Sequence, residues 1–79
     1  MVHTEVGMII DSYKEPWAGG KYVAIFSTEN WINIETWCIN EFKASTRVEW
    51  QYVNGELIRV ATVKFKRAKH LSWFMLRWA

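Results

Sequence analysis

Residues 48–60 read VEWQYVNGELIRV, and Asn54-Gly55 stands between two runs of alternating side chains. Two readings compete: a helix that starts at Asn40 and stops at Gly55, or a β-hairpin that turns on Asn54-Gly55. On a helical wheel, at about 100° per residue, Ala44, Val48 and Tyr52 form one stripe. Trp50 then falls on the opposite side, beside Lys43 and Arg47, and Lys43 occupies the position where a capping box needs Glu or Gln. The hairpin does better. A two-residue type I′ loop pairs Val53 with Glu56. Counting outward, Tyr52 faces Leu57, Trp50 faces Arg59 and Val48 faces Ala61. With Val63 and Phe65 these share one face, which is apolar apart from Arg59. The other face, with Arg47, Glu49, Gln51, Ile58, Val60, Thr62, Lys64 and Lys66, is mixed. Two apolar sets landing on one face, in the register the turn dictates, favour the hairpin.

Working outward, VGMIIDSY (6–13) is rich in β-formers and reads as a first strand, and KEPWAGG (14–20) reads as a loop. Residues 21–28, KYVAIFST, read as a second strand. WINIETWCI (31–39) alternates, with Ile32, Ile34, Thr36 and Cys38 on one side and Trp31, Asn33, Glu35 and Trp37 on the other, so it reads as a strand too. The tail AKHLSWFMLRWA (68–79) has helical spacing at Leu71, Phe74, Met75 and Trp78, yet it also alternates. After so many β-formers it reads as a last strand. The expected fold is all-β or β-rich, a small antiparallel sheet or open barrel of five to six strands. The alternative is α+β, an antiparallel sheet with one helix at 41–53.

The chain of 79 residues makes a single domain, 1–79. Six Trp, four Phe and three Tyr supply a core that so short a chain must use efficiently. No apolar run approaches the roughly 20 residues that span a bilayer, so no membrane partner is expected. No basic region precedes the apolar N-terminal stretch, so no signal peptide is expected. The single cysteine, Cys38, forms no internal disulfide, and the expected location is cytoplasmic. Cys38 lacks ligand or nucleophile spacing to His3 or His70, and Glu5, Asp11 and Glu15 are scattered. AGGK lacks the length and following Ser/Thr of a phosphate loop. No catalytic residue, metal site or cofactor is therefore nominated.

Charge carries more information. Residues 1–56 hold all eight acids and four Lys/Arg, net −4. Residues 57–79 hold Arg59, Lys64, Lys66, Arg67, Lys69 and Arg77 and no acid, net +6. Such a split points to a polyanion or an acidic protein surface as partner. KFKRAKH (64–70), followed by Trp73, Phe74 and Trp78, interleaves cations with rings, which suits single-stranded nucleic acid: rings stack on bases while Lys and Arg track phosphates. Equally, the rings can be core and the cations a solvated edge that deters sheet-to-sheet pairing. Arg59, opposite Trp50 on an apolar face, can stack on that ring or project into a partner. The candidate partner-binding residues are thus Arg59, Lys64, Lys66, Arg67, Lys69 and Trp50.

EWQYV (49–53), with KYVA (21–24) and the order between them, resembles the small inhibitors of host RNA polymerase made by short-tailed T-odd coliphages. The likeness spans roughly residues 21–60. It implies that 49–53 ends a helix and that the next strand carries arginines binding the jaw of the polymerase β′ subunit. Arg59 matches one such arginine, and Ala61 stands where the next would be. The function expected is a small non-enzymatic protein-binding module, a bacteriophage early protein that binds and inhibits a host machine such as bacterial RNA polymerase. The alternative is a single-stranded nucleic-acid-binding protein that uses the basic, aromatic C-terminal third.

Overall fold

The computed structural model describes residues 9–79. Four strands and two helices follow one another: β1 Ile9–Lys14, β2 Tyr22–Ser27, α1 Trp31–Phe42, β3 Thr46–Val53, β4 Glu56–Phe65 and α2 Ala68–Trp78. The strands form one antiparallel sheet in the order β1-β2-β4-β3. The fold is β-rich and antiparallel, as expected, with four strands in place of five or six.

The hairpin at the centre of the sequence forms in the predicted register. Val53 pairs with Glu56, Tyr52 with Leu57, Trp50 with Arg59 and Val48 with Ala61. Asn54 and Gly55 have φ of 53° and 82°, the two positive values that a type I′ turn requires. Of the alternative helix at 41–53 only Glu41 and Phe42 are helical, as the end of α1, while 46–53 form β3, and the helix implied for EWQYV by its resemblance is a strand here.

Two expected strands are helices instead. Residues 31–42 form α1, and Ile34 and Cys38, one helical turn apart, are its fully buried residues. Ile32, which alternation places on the same side as Ile34, is 68% exposed. The helix is started by a 3₁₀ turn, Thr28–Asn30, whose Glu29 amide donates to Ser27 Oγ at 3.2 Å. It is closed by Lys43, in the left-handed region at φ 54°, whose amide donates to Ile39 O at 2.9 Å while that of Ala44 donates to Cys38 O. The tail forms α2, with Phe74 buried and Leu76 86% exposed, again the helical period and not the alternating one.

Both helices cover the same face of the sheet. Ala24, Phe26, Ala61, Val63 and Phe65 pack there against Ile34 and Cys38 of α1 and Phe74 of α2. Aromatic rings knit the helices together: Trp37 lies 6.0 Å from Trp78 and 6.3 Å from Phe74, centroid to centroid. The opposite face carries a smaller cluster of Val23, Ile25 and Val60, joined by Ile10, Val53 and Ile58. Ile10 from one edge strand and Val53 from the other line one hollow on that face, so the sheet curls across it. Of the first expected strand, Ile9–Tyr13 lies within β1, with a bulge between Ile9 and Asp11, and 6–8 fall outside the described residues.

The loop before β2 is fixed by close contacts. Gly20 donates to Trp17 O at 2.9 Å, and a Cβ at this glycine would sit 2.4 Å from Glu15 O. Glu15 is thereby held against the start of β2.

Candidate nucleic-acid interface

At one end of the sheet, four chain segments separate and leave a cleft. Phe42 ends α1, and Lys43–Ser45 turns the chain into β3, which begins at Thr46 opposite Val63. Strand β4 runs past that point to Phe65, so Lys64 and Phe65 have no β3 partner. Lys66 and Arg67 then turn into α2, and Lys21 immediately precedes Tyr22, the partner of Phe65. The cleft holds about 850 Å³.

Its lining is strongly one-signed. Lys21, Lys43, Arg47, Lys64, Lys66 and Arg67 all contribute to the wall, with His70, and no acidic side chain does. Like charges brought together in a concavity with low-dielectric walls focus a positive potential outward. The start of α2 adds to it. Arg67 occupies the N-cap without a side-chain cap, and no acid sits in the first turn. The His70 amide closes the first turn on Arg67 O at 3.1 Å, and the amides of Ala68 and Lys69, with no intrahelical partner, lie at the positive end of the helix dipole.

One cation in the cleft is spoken for. Lys64 Nζ donates to Glu15 Oε2 at 2.7 Å, the only ion pair among the described residues. Glu15 is buried, and its other oxygen, Oε1, accepts the Lys21 amide at 2.8 Å. The Lys64 hydrogen bond, then the Lys21 amide, hold the Glu15 carboxyl below its ordinary range. The same carboxylate raises the Lys64 ammonium. Lys21, Lys43, Arg47, Lys66 and Arg67 have no such partner among the described residues.

Aromatic rings adjoin the cations. Phe42 sits 4.7 Å from the His70 ring, 5.2 Å from Phe65 and 5.5 Å from Trp73. Phe42, Phe65 and His70 line the cleft, and Trp73, on the next turn of α2, is exposed.

The predicted site residues divide into two groups. Lys64, Lys66 and Arg67 meet in the cleft, and Lys69 lies exposed on the first turn of α2 without lining it. Arg59 and Trp50 stand opposite each other far along the hairpin, six residues up β4 from Phe65, or about 20 Å at strand rise. Both are exposed, and Trp50 is 64% so. Arg59 does not stack on Trp50: the cation–π contacts among the described residues are Lys14 on Tyr22 and Arg77 on Trp78. Lys21, Lys43, Arg47 and His70 were not singled out by sequence reasoning. Three of them belong to the half of the chain whose net charge is negative, and only the fold brings them to the basic third.

Cys38 is fully buried in the main core, where burial, and secondarily Glu35, push its thiol up to about 12. Among the described residues no three His, Cys, Asp or Glu side chains come together as a metal-ligating set, and no helix is long and apolar enough to cross a membrane. His3 and Glu5 lie outside the described residues. Comparisons with protein-family models, with curated proteins and with solved structures find no match to this chain.

Proposed function

We propose that this protein is a non-enzymatic binding module whose basic cleft holds the phosphates of single-stranded nucleic acid. The observation that carries the reading is the convergence of six Lys/Arg side chains on one cleft with no acid in its lining. Phosphate oxygens are the ligand that such a donor set and the free amides at the start of α2 both suit. Phe42 and His70 in the wall, with Trp73 beside them, offer ring faces and edges to bases that are not already stacked in a duplex. Fluorescence anisotropy with a labelled single-stranded oligonucleotide at low salt tests it. Lys66→Glu with Arg67→Glu weakens binding at least roughly tenfold, because phosphate contacts dominate such affinities, whereas Arg59→Glu, at the far end of β4, changes it little. No binding by the wild type, or equal loss in both variants, rejects the reading.

A second reading rests on the hairpin. Trp50, Tyr52, Leu57 and Arg59 are exposed together on one face of it, and aromatic residues with arginine are the usual anchors of protein contacts. On this reading the chain is a bacteriophage protein that inhibits a host machine such as bacterial RNA polymerase, with Arg59 as anchor. Pull-down from bacterial lysate then recovers polymerase subunits with the wild type and loses them with Arg59→Ala; wild-type protein that recovers none removes it.

A further inference from the structure

The two edges of the sheet are built differently. Strand β1 shifts register between Ile9 and Asp11, an irregularity that spoils an edge for pairing. Strand β3 has eight residues in unbroken register with β4, no proline and no bulge, and no described strand lies on its outer side. Its two-residue turn makes Val53 and Glu56 a hydrogen-bonded pair, so Gln51, Glu49 and Arg47 spend their backbone groups on β4. The N–H and C=O groups of Thr46, Val48, Trp50 and Tyr52 then point outward, a regular row of donors and acceptors.

We propose that this row pairs with the same strand of a second copy, antiparallel and centred on Val48, so that two four-stranded sheets join into one of eight strands. Charge chooses the register. The charged side chains of β3 are Arg47 and Glu49. A two-fold axis at Val48 sets Arg47 of each copy opposite Glu49 of the other, twice over. An axis at Glu49 sets that carboxylate against itself, and an axis at Trp50 sets Glu49 against Gln51 and leaves Arg47 opposite Val53. Opposite charges directly across a strand pair stabilise it and like charges oppose it, so the Val48-centred register is the self-complementary one.

The same register gives the exposed ring at Trp50 a place. It lies opposite Thr46 of the second copy, on the helix-covered face. Thr46 Oγ1 accepts the Trp31 indole N–H at 2.6 Å and donates to Glu35 at 2.7 Å, so the first turns of α1 stand beside it. Trp50, which its own α1 leaves 64% exposed, therefore meets the half-buried Trp31 side of the other copy. Arg47 stands where this edge meets the basic cleft, and its engagement with Glu49 leaves Lys21, Lys43, Lys66 and Arg67 to phosphate. The pairing is independent of the nucleic-acid reading and is tested without ligand.

Sedimentation equilibrium of the full chain, free of nucleic acid, is the experiment. The wild type is a dimer in reversible exchange with monomer. Arg47→Glu alone and Glu49→Arg alone each weaken association roughly tenfold or more, since each turns two attractions into two repulsions. Arg47→Glu combined with Glu49→Arg restores it, with circular dichroism confirming that every variant keeps its fold. A wild type that stays monomeric up to its solubility limit overturns the proposal, as does a dimer indifferent to the single reversals or not restored by the double one.

Discussion

The carboxylate of Glu15 is held from two sides, by the Lys64 ammonium and the Lys21 amide, and this shapes how the fold responds to acid. Its folded pKa lies below the ordinary 4.5. The stabilisation is therefore complete above that ordinary value and is lost as pH falls through the folded one. Lys64 works in the opposite direction. Its folded pKa is raised above 10.5, so its contribution is complete below that value and is lost as pH rises through the folded one. Denaturant midpoints measured across pH should form a plateau that declines on the acid side as Glu15 is protonated and on the alkaline side from about pH 9, where the Cys38 thiol ionises in the unfolded chain but not in the folded one. Glu15→Gln should flatten the acid decline and leave the alkaline one standing; a variant with the wild-type acid limb would show that the pair does not govern it. Cys38 gives a second prediction at this scale. A thiol that is fully buried and pushed up to about 12 presents almost no thiolate at neutral pH. Alkylation in native buffer should proceed only as fast as the protein opens, and at the free-thiol rate in denaturant.

At the scale of elements, the hairpin was legible and the helices were not, for physical reasons. Asn54-Gly55 demands positive φ at two successive residues, and that local demand fixes loop length, hence register, hence which side chains share a face. Gly55→Ala, forcing a Cβ at φ 82°, should cost about 1 kcal/mol in a chemical denaturation curve. WINIETWCI offers no comparable local demand. Its Trp and Ile residues satisfy a period of two, while Ile34 and Cys38 satisfy a helical one, and the choice is made by packing under the sheet. The tail is ambiguous for the same reason: Phe74, the residue that decides it, is anchored by Phe26 at 5.8 Å and Phe65 at 5.6 Å, neither of them nearby in sequence. Removing that anchor by Phe74→Ala should destabilise the protein by roughly 3–5 kcal/mol, with loss of helical signal and thermal stability together.

Across the whole molecule, the fold adds to the charge segregation already present along the chain. The basic run at 64–67 could be read from sequence. Its convergence with Lys21, Lys43 and Arg47 could not, because those three sit among acids along the chain and meet the run only where β2 begins and β3 starts. Arg59, which belongs to the basic third, is carried with its β3 partner Trp50 away from the run, toward the turn end of β4. The molecule thus has a cationic cleft at one end and an aromatic hairpin at the other, and the cleft is the end proposed to meet nucleic acid. The salt dependence of oligonucleotide binding tests that assignment most directly. With Lys21, Lys43, Lys66 and Arg67 each neutralising one phosphate, and Arg47 a fifth where it is not engaged with Glu49, the logarithm of the association constant should fall with the logarithm of salt concentration at a slope of about −3 to −3.5 for a single strand. Lys66→Gln with Arg67→Gln should reduce the slope by roughly 1.4, and Arg59→Gln should leave it unchanged. Absence of binding at low salt, or a slope that the cleft substitutions do not move, would contradict the account.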